Sequence, residues 1–249
     1  TRKAFGNMRT LIYGIFRYAR KKKLVDFSIK TLMDDIEFSK NEFQKVCHED
    51  NEQVFMLDEE AKMLKYLEDN QDLVNLGLLL LFKTGLRIGE LTSLNKEDIQ
   101  DGMIHVSKTE TIYRGKDGKT HYDVKNFPKT EAGIRHVIVP DNCKWILNRI
   151  RRLCPFGQYV FMKDNERIRS YVFRTRLYSN CKKLDIVVKS PHKVRKTYGS
   201  KLYDSGEIPE SFMLEQMGHT DISCLQKHYY YNRMNDEEKR EMLNQVNAL

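Results

Sequence analysis

The stretch LVNLGLLLLFKTGLRIGEL, residues 73–91, decides how the chain is read. Residues 73–83 are apolar on nearly every side, a pattern that suits a helix buried all round. Gly85 follows where a left-handed residue ends a helix at little steric cost. A shorter helix is expected through 87–94. Arg87 stands between apolar Leu86 and Ile88, so its guanidinium is expected to be half-buried and to need a partner. Glu90, three residues on, can hold it. Such a pair either braces the corner or presents a fork of N–H donors to phosphate oxygens.

Outward from this helix, the periodicities predict a mainly α protein with a small antiparallel β-sheet, an α+β arrangement. Upstream, Asp58 is expected to cap a helix with Glu59 and Glu60 in its first turn and Met63, Leu64 and Leu67 facing inward. Residues 40–53 are polar and aperiodic and read as a linker. Before them, Met8, Leu11, Ile12, Ile15, Phe16 and Ala19 recur at helical spacing over 7–24, and the helix closes on Arg20, Lys21, Lys22 and Lys23. That piece is too short to hold a comfortable core of its own. Downstream the period changes. Residues 103–106, 111–113 and 136–139 read as strands, with a turn at Lys116-Asp117-Gly118-Lys119. Helices resume at 141–153, 169–184, 191–205, 209–217, 222–231 and 236–247.

Composition narrows the function classes. In 249 residues, 40% are hydrophobic, enough for a core and against wholesale disorder. Lys and Arg number 43 against 35 Asp and Glu, a net charge of +8 that points to nucleic acid or an anionic membrane face. The longest apolar run, 76–82, is far short of the roughly 20 residues of a membrane span, and no signal peptide is visible. Five cysteines, an odd number with no C-x-x-C, fit buried thiols in a reducing cytoplasm better than disulfides or a zinc knuckle. No H-E-x-x-H or i, i+4 histidine pair occurs, so chemistry without a tightly held metal is expected.

Four short motifs remain. Ser190 is expected to cap a helix with Pro191 at its first position, which sets His192 and Arg195 on one face of the first turn. A helix start with a His and an Arg makes a phosphate seat. Pro128-Lys129-Thr130 precedes the strand at 136–139, where Lys129 is either a solvated charge or a proton donor reaching into a groove. Met217-Gly218-His219 ends a helix. About ten residues later comes His228-Tyr229-Tyr230-Tyr231, tyrosines that commonly serve packing.

In this order, these elements resemble the tyrosine recombinases, particularly the phage and conjugative-transposon integrases. The resemblance covers about 55–245 and rests on Gly85-Leu86-Arg87 with Glu90, Lys129 before the strand running 135–140, His192 and Arg195, and Met217-Gly218-His219 followed by a tyrosine. It implies six catalytic residues: Arg87, Lys129, His192, Arg195, His219 and Tyr229. Position nine after His219 is His228 and position ten is Tyr229, with Tyr230 the alternative nucleophile. Met217 stands where the family has Leu. The resemblance further implies a catalytic domain over 58–249 with a C-terminal tail helix, and a linker at 46–57. Residues 1–45 resemble the closing part of a helical core-binding domain, so the chain reads as part of a longer protein.

The implied reaction is phosphodiester transfer through a 3′-phosphotyrosyl link, integrating or excising a mobile element. Bond energy is conserved in that link, so neither ATP nor any other cofactor is expected. Arg87 and Arg195 would clamp the phosphate oxygens, His219 would add a hydrogen bond, His192 would accept the tyrosine proton and Lys129 would protonate the leaving oxygen. Double-stranded DNA is the expected partner, with basic clusters at 20–23, 149–152, 167–176 and 193–201 along the duplex. The helix at 236–247, apolar at Met242, Leu243 and Val246, packs on its own domain or on a neighbouring copy in a dimer or tetramer. The expected location is the bacterial cytoplasm. Two other readings remain: a non-catalytic DNA-binding or architectural protein, and a type IB topoisomerase-like enzyme.

Overall fold

Thr1 begins the first helix: its Oγ1 accepts the Ala4 N–H at 3.2 Å, so α1 (Arg2–Lys21) starts earlier than the apolar spacing suggests. The structure is a computed structural model that describes residues 1–34, 36, 42–43, 49–126, 133–221 and 231–247. The chain divides into two units, Thr1–His48 and Glu49–Leu249. In the first, α1 and α2 (Ile29–Asp34) bring Phe16 against Phe27 at 5.7 Å between ring centroids. No residue of α1 is buried, and Met8, Leu11, Ile15 and Tyr18 stand exposed. A piece this small has too little apolar surface to cover them.

The second unit opens inside the stretch expected as a linker. There α3 (Asp50–Gln53) makes one turn, and Val54 and Phe55 enter the core. Helix α4 (Leu57–Asp69) follows, and here the sequence reading is corrected. Asp58 lies within the helix, and Glu59 satisfies the free end by accepting the Met56 N–H at 2.9 Å. Asp72 caps α5 (Leu73–Thr84) by accepting the Asn75 N–H at 2.8 Å. This helix is buried on nearly all sides, as its composition requires. Gly77 admits the rings of Phe161 and Phe173, since a Cβ there would stand 2.4 Å from Phe173. Helix α6 (Ile88–Ser93) follows the corner at Gly85.

A three-stranded antiparallel sheet has the order β1 (Ile99–Gln100), β2 (Met103–Val106), then β5 (Arg135–Ile138), with Ile104 opposite Val137. Between β2 and β5 lies a separate hairpin of β3 (Thr109–Arg114) and β4 (Thr120–Lys125), turning at the expected place. Arg167 ties this hairpin down. It pairs with Glu110 and donates to Thr92 O and Tyr122 O at 3.3 and 3.1 Å. A minor ribbon, β6 (Met162–Lys163) with β7 (Glu166–Arg167), follows α7 (Lys144–Leu153). Then come α8 (Ser170–Lys183), α9 (Pro191–Asp204), α10 (Glu210–Met217) and α11 (Asp236–Asn247). The helix expected at 222–231 lies outside the described residues except for Tyr231. Cys143, Cys154 and Cys181 are free and buried, as small hydrophobes are.

The described tail is pinned through Arg233. Its Nε donates to Phe55 O at 3.3 Å, its Nη2 pairs with buried Glu60, and its carbonyl accepts the Leu57 N–H at 3.1 Å. Lys196 meets Tyr231 twice, bonding its hydroxyl at 2.8 Å and lying over its ring. Met242 and Leu243 on α11 are exposed.

Candidate active site

The site is built where the ends of four helices meet. At the close of α5, Gly85 takes φ +65°, and a Cβ there would stand 2.2 Å from the Tyr198 ring. Glycine alone fits that corner. The turn delivers Arg87 to the start of α6, where Glu90 binds it twice: Oε2 accepts its backbone N–H and Oε1 its Nη1, each at 2.8 Å. The expected Arg87–Glu90 pair therefore forms, and Arg87 keeps 42% of its side chain exposed.

Helix α9 supplies His192 and Arg195. Ser190 precedes it and Pro191 occupies its first position, but the Ser190 side chain makes no capping bond, which corrects the expectation. Arg195 is only 1% exposed. Its Nη1 donates to Gly85 O at 2.6 Å, and its Nη2 to Met217 O and to His219 Nε2, the latter at 2.9 Å. Helix α10 ends at left-handed Gly218, whose carbonyl accepts Arg87 Nη2 at 3.3 Å. Both guanidinium groups thus face the one turn formed by Met217, Gly218 and His219. His192 lies exposed on the first turn of α9, ahead of Arg195. Lys129 and Tyr229, with Tyr230, lie outside the described residues.

Sequence reasoning missed the fifth member of the cluster. Arg135 on β5 is buried, forks onto both Glu90 oxygens at 3.1 and 3.0 Å, and sends Nε to Gln216 O at 3.0 Å. Its partner stands 45 residues away, so no local pattern announces it. Gln216 completes the brace. Its side chain accepts the Ile138 N–H at 3.1 Å and donates to Ile138 O at 3.0 Å.

Three guanidinium groups therefore surround one carboxylate and one imidazole. Burial alone would raise the Glu90 pKa, but the hydrogen bond and charge of Arg135, with the charges of Arg195 and Arg87, hold it at about 2. Burial and the same three arginines, against a smaller pull from Glu90, push His219 down to about 3. His219 is therefore neutral at pH 7. A guanidinium N–H can only donate, so Nε2 accepts from Arg195 and the proton sits on Nδ1. With Glu90 the only carboxylate of the cluster among the described residues, those residues keep a surplus of positive charge, and half-exposed Arg87 gives that charge an outlet. This arrangement suits an oxyanion with several oxygens.

Several cations of the expected DNA-facing clusters also have partners within the protein. Arg167 is held by Glu110, Arg176 by Asp72 and Asn75, and Arg149 by Gln71. No group of three or more His, Cys, Asp or Glu that could hold a metal occurs among the described residues. None of their helices is long and apolar enough to cross a membrane.

Comparison with known proteins places these features. Residues 53–236 match the family model described as Phage integrase family. A tyrosine recombinase XerC-like protein of Caldanaerobacter subterraneus subsp. tengcongensis is 31% identical over 188 residues, covering 67% of this chain and 47% of that protein. Tyrosine recombinase XerD of Rickettsia bellii is 26% identical over 184 residues, covering 70% and 58%. The chain thus spans about half the length of the curated relatives it matches. Among solved structures, the Tn1549 transposon integrase in complex with circular intermediate DNA superposes with a TM-score of 0.64 at 19% identity, over 98% of this chain and 80% of that one. A lambda integrase dimer bound to a COC′ core site gives 0.59 at 18% identity, over 92% and 74%. These likenesses establish the shared fold.

Proposed function

The chain belongs to the phage integrase family, and from that premise we propose that it is a site-specific DNA recombinase that cuts and rejoins duplex DNA. The observation that carries this reading is the convergence of Arg87, Arg195 and His219 on one turn, with positive charge in surplus. Arg87 and Arg195 hold the non-bridging oxygens of the scissile phosphate. His219, with its proton on Nδ1, adds a neutral donor. Tyr229 attacks phosphorus and passes its phenolic proton to His192. The phosphorus bond to the 5′-oxygen breaks as Lys129 protonates that oxygen, leaving a 3′-phosphotyrosyl link and a free 5′-hydroxyl. A 5′-hydroxyl of the partner strand reverses the steps. The guanidinium groups carry the charge of the transition state, so the reading calls for no metal and no ATP.

On the same reading, residues 1–45 are the last part of a helical core-binding domain and 46–57 its connection. Residues 58–249 are the catalytic domain with α11 as its tail. Two or four copies assemble on a recombination site, with α11 a contact between them, in the bacterial cytoplasm at the nucleoid. The element served is a phage or a conjugative transposon.

A duplex nicked next to the cleavage site, so that the cut end diffuses away, tests the reading. The wild-type chain is expected to become covalently attached to the DNA, and Tyr229→Phe to bind without attaching. An adduct that survives Tyr229→Phe and disappears in Tyr230→Phe moves the nucleophile by one residue. Binding with no adduct from the wild type would favour an architectural protein. Relaxation of supercoils without exchange between duplexes would favour a topoisomerase-like enzyme.

A further inference from the structure

Lys196 follows Arg195 on α9, one turn after His192. It is half-buried, and its ammonium is held from two sides. It donates to Gln53 Oε1, at the end of α3, at 2.9 Å and to the Tyr231 hydroxyl at 2.8 Å. It also lies over the Tyr231 ring, 4.8 Å from the centroid. A cation that bonds a phenol and covers its ring restricts that side chain more than either contact alone. Past Tyr231 the chain is tied to other elements. The Asn232 N–H donates to Asp50 Oδ2 at 3.2 Å, and Arg233 grips Phe55 and Glu60. Those later ties lead to α3 and to the chain around the start of α4. The Lys196 tie leads to α9.

That destination matters because of what else α9 carries. On the recombinase reading, Arg195 holds the scissile phosphate and His192 accepts the tyrosine proton. Tyr231 stands two residues after Tyr229 in the sequence. Tyr229 lies outside the described residues; the link to it is the chain itself, and two residues of fully extended chain reach at most about 7 Å. An anchor at Tyr231 therefore confines Tyr229 to a short radius around a point fixed on the helix of the phosphate seat. Attack needs the reacting atoms about 3–3.5 Å apart, and a misplacement of about 1 Å can cost about 10²-fold in rate.

We propose that Lys196 is a positioning residue for strand cleavage: by holding Tyr231 it sets the distance between the nucleophile and the phosphate seat of Arg195. The inference rests on the recombinase reading and adds to it a group that touches neither DNA nor the reacting atoms. Lys196 belongs to the basic cluster expected along the duplex, but its ammonium is spent inside the protein. The Tyr231 hydroxyl is committed to the same contact, so Tyr231 is the anchor and not the attacking group.

Attachment to the nicked duplex tests this, with the single-turnover rate at saturating DNA measured separately from DNA affinity. Lys196→Met keeps most of the side-chain length and removes the ammonium. It is expected to slow attachment about 10–100-fold while DNA affinity stays within about twofold. Its thermal midpoint is expected to stay within about 4 °C of wild type, because Arg233 still holds the tail. Tyr231→Phe loses the same hydrogen bond and is expected to slow attachment as well. The double variant is expected to be no slower than Lys196→Met, because both groups act through one contact. Lys196→Arg, which can still donate to both oxygens, is expected to recover most of the rate. Attachment by Lys196→Met at the wild-type rate, or additive losses in the double variant, would overturn the inference. So would a loss confined to DNA affinity with a salt slope lower by about one, which marks a direct phosphate contact. Complete loss of the adduct in Tyr231→Phe would overturn it too, because Tyr231 would then be the nucleophile. A wild-type chain that forms no adduct would overturn the recombinase reading and this inference with it, whereas each of the other outcomes leaves that reading standing.

Discussion

Glu60 and Glu90 are both buried carboxylates that sit under arginines, and their surroundings differ in one respect. Glu60 meets Arg233 and Lys201, and exposed Asp204 also feels the charge of Arg233, so acids and bases match one for one. Glu90 meets Arg135 and Arg87 with Arg195 close by, and among these groups no second acid answers them. The first cluster has no charge to spare and serves as an anchor for the tail. The second has charge left over, and its most exposed member, Arg87, is where that charge reaches the surface. Burial alone does not distinguish a brace from an anion seat; the local count of charges does.

The comparison breaks if removal of a base has the same consequence in both places. Arg233→Met leaves Glu60 buried with only half-exposed Lys201, at 3.4 Å, and we expect a loss of about 3–5 kcal/mol in unfolding free energy, measured by denaturant titration. Arg87→Met is expected to slow covalent attachment to nicked DNA by about 10²–10³-fold. It should cost far less stability, because Arg135 still holds Glu90. Equal destabilisation by the two variants would show that Arg87 is also a brace.

Acid offers a milder probe. Glu90 is held at about 2, below its ordinary 4.5, so its stabilising contribution is complete above 4.5 and is lost as pH falls from there through about 2. His219 is held at about 3, below its ordinary 6.5. Both states are neutral above 6.5, and below it the unfolded chain takes up the proton first, so stability falls on the way down to about 3. Acid unfolding should therefore begin near pH 6.5, and His219→Gln should delay its onset to the carboxylate range. A melting series from pH 7 to 4 reads this directly; an unchanged profile in the variant would mean that His219 is not held neutral. The smallest effect belongs to an exposed pair outside both clusters. Lys62→Ala, which loses Asp58 at 3.5 Å, should shift stability by no more than about 0.5 kcal/mol.

What could be read from the sequence follows the reach of each signal. The helix at 73–84 announced itself because its burial is written into consecutive residues, and Gly85 marked its end. Strand β2 showed as a local run. Strand β4 did not, because Thr120-His121-Tyr122-Asp123-Val124-Lys125 is largely exposed and takes its shape from pairing with β3. The ribbon of β6 and β7 has two residues a strand, too few for any period. In the site, Arg87 and Glu90 are neighbours on one turn and were foreseeable as a pair. Arg135 looked like an ordinary strand residue, since what makes it special is a carboxylate brought to it by the fold. The basic clusters show the same limit: Arg167 and Arg176 look free in a list of charges, yet each has an acid distant in sequence.

Gln216 gives the last turn of α10 a grip on the rim of the sheet. Its amide imitates the next strand, taking both main-chain groups of Ile138, while its own carbonyl receives Arg135 from the same strand. The two elements are stapled at two points, one on each side of the peptide. A pull on β5 is therefore transmitted to the turn that presents His219, with no slack in between. Loosening either point would let the turn that carries His219 part from the strand that carries Arg135.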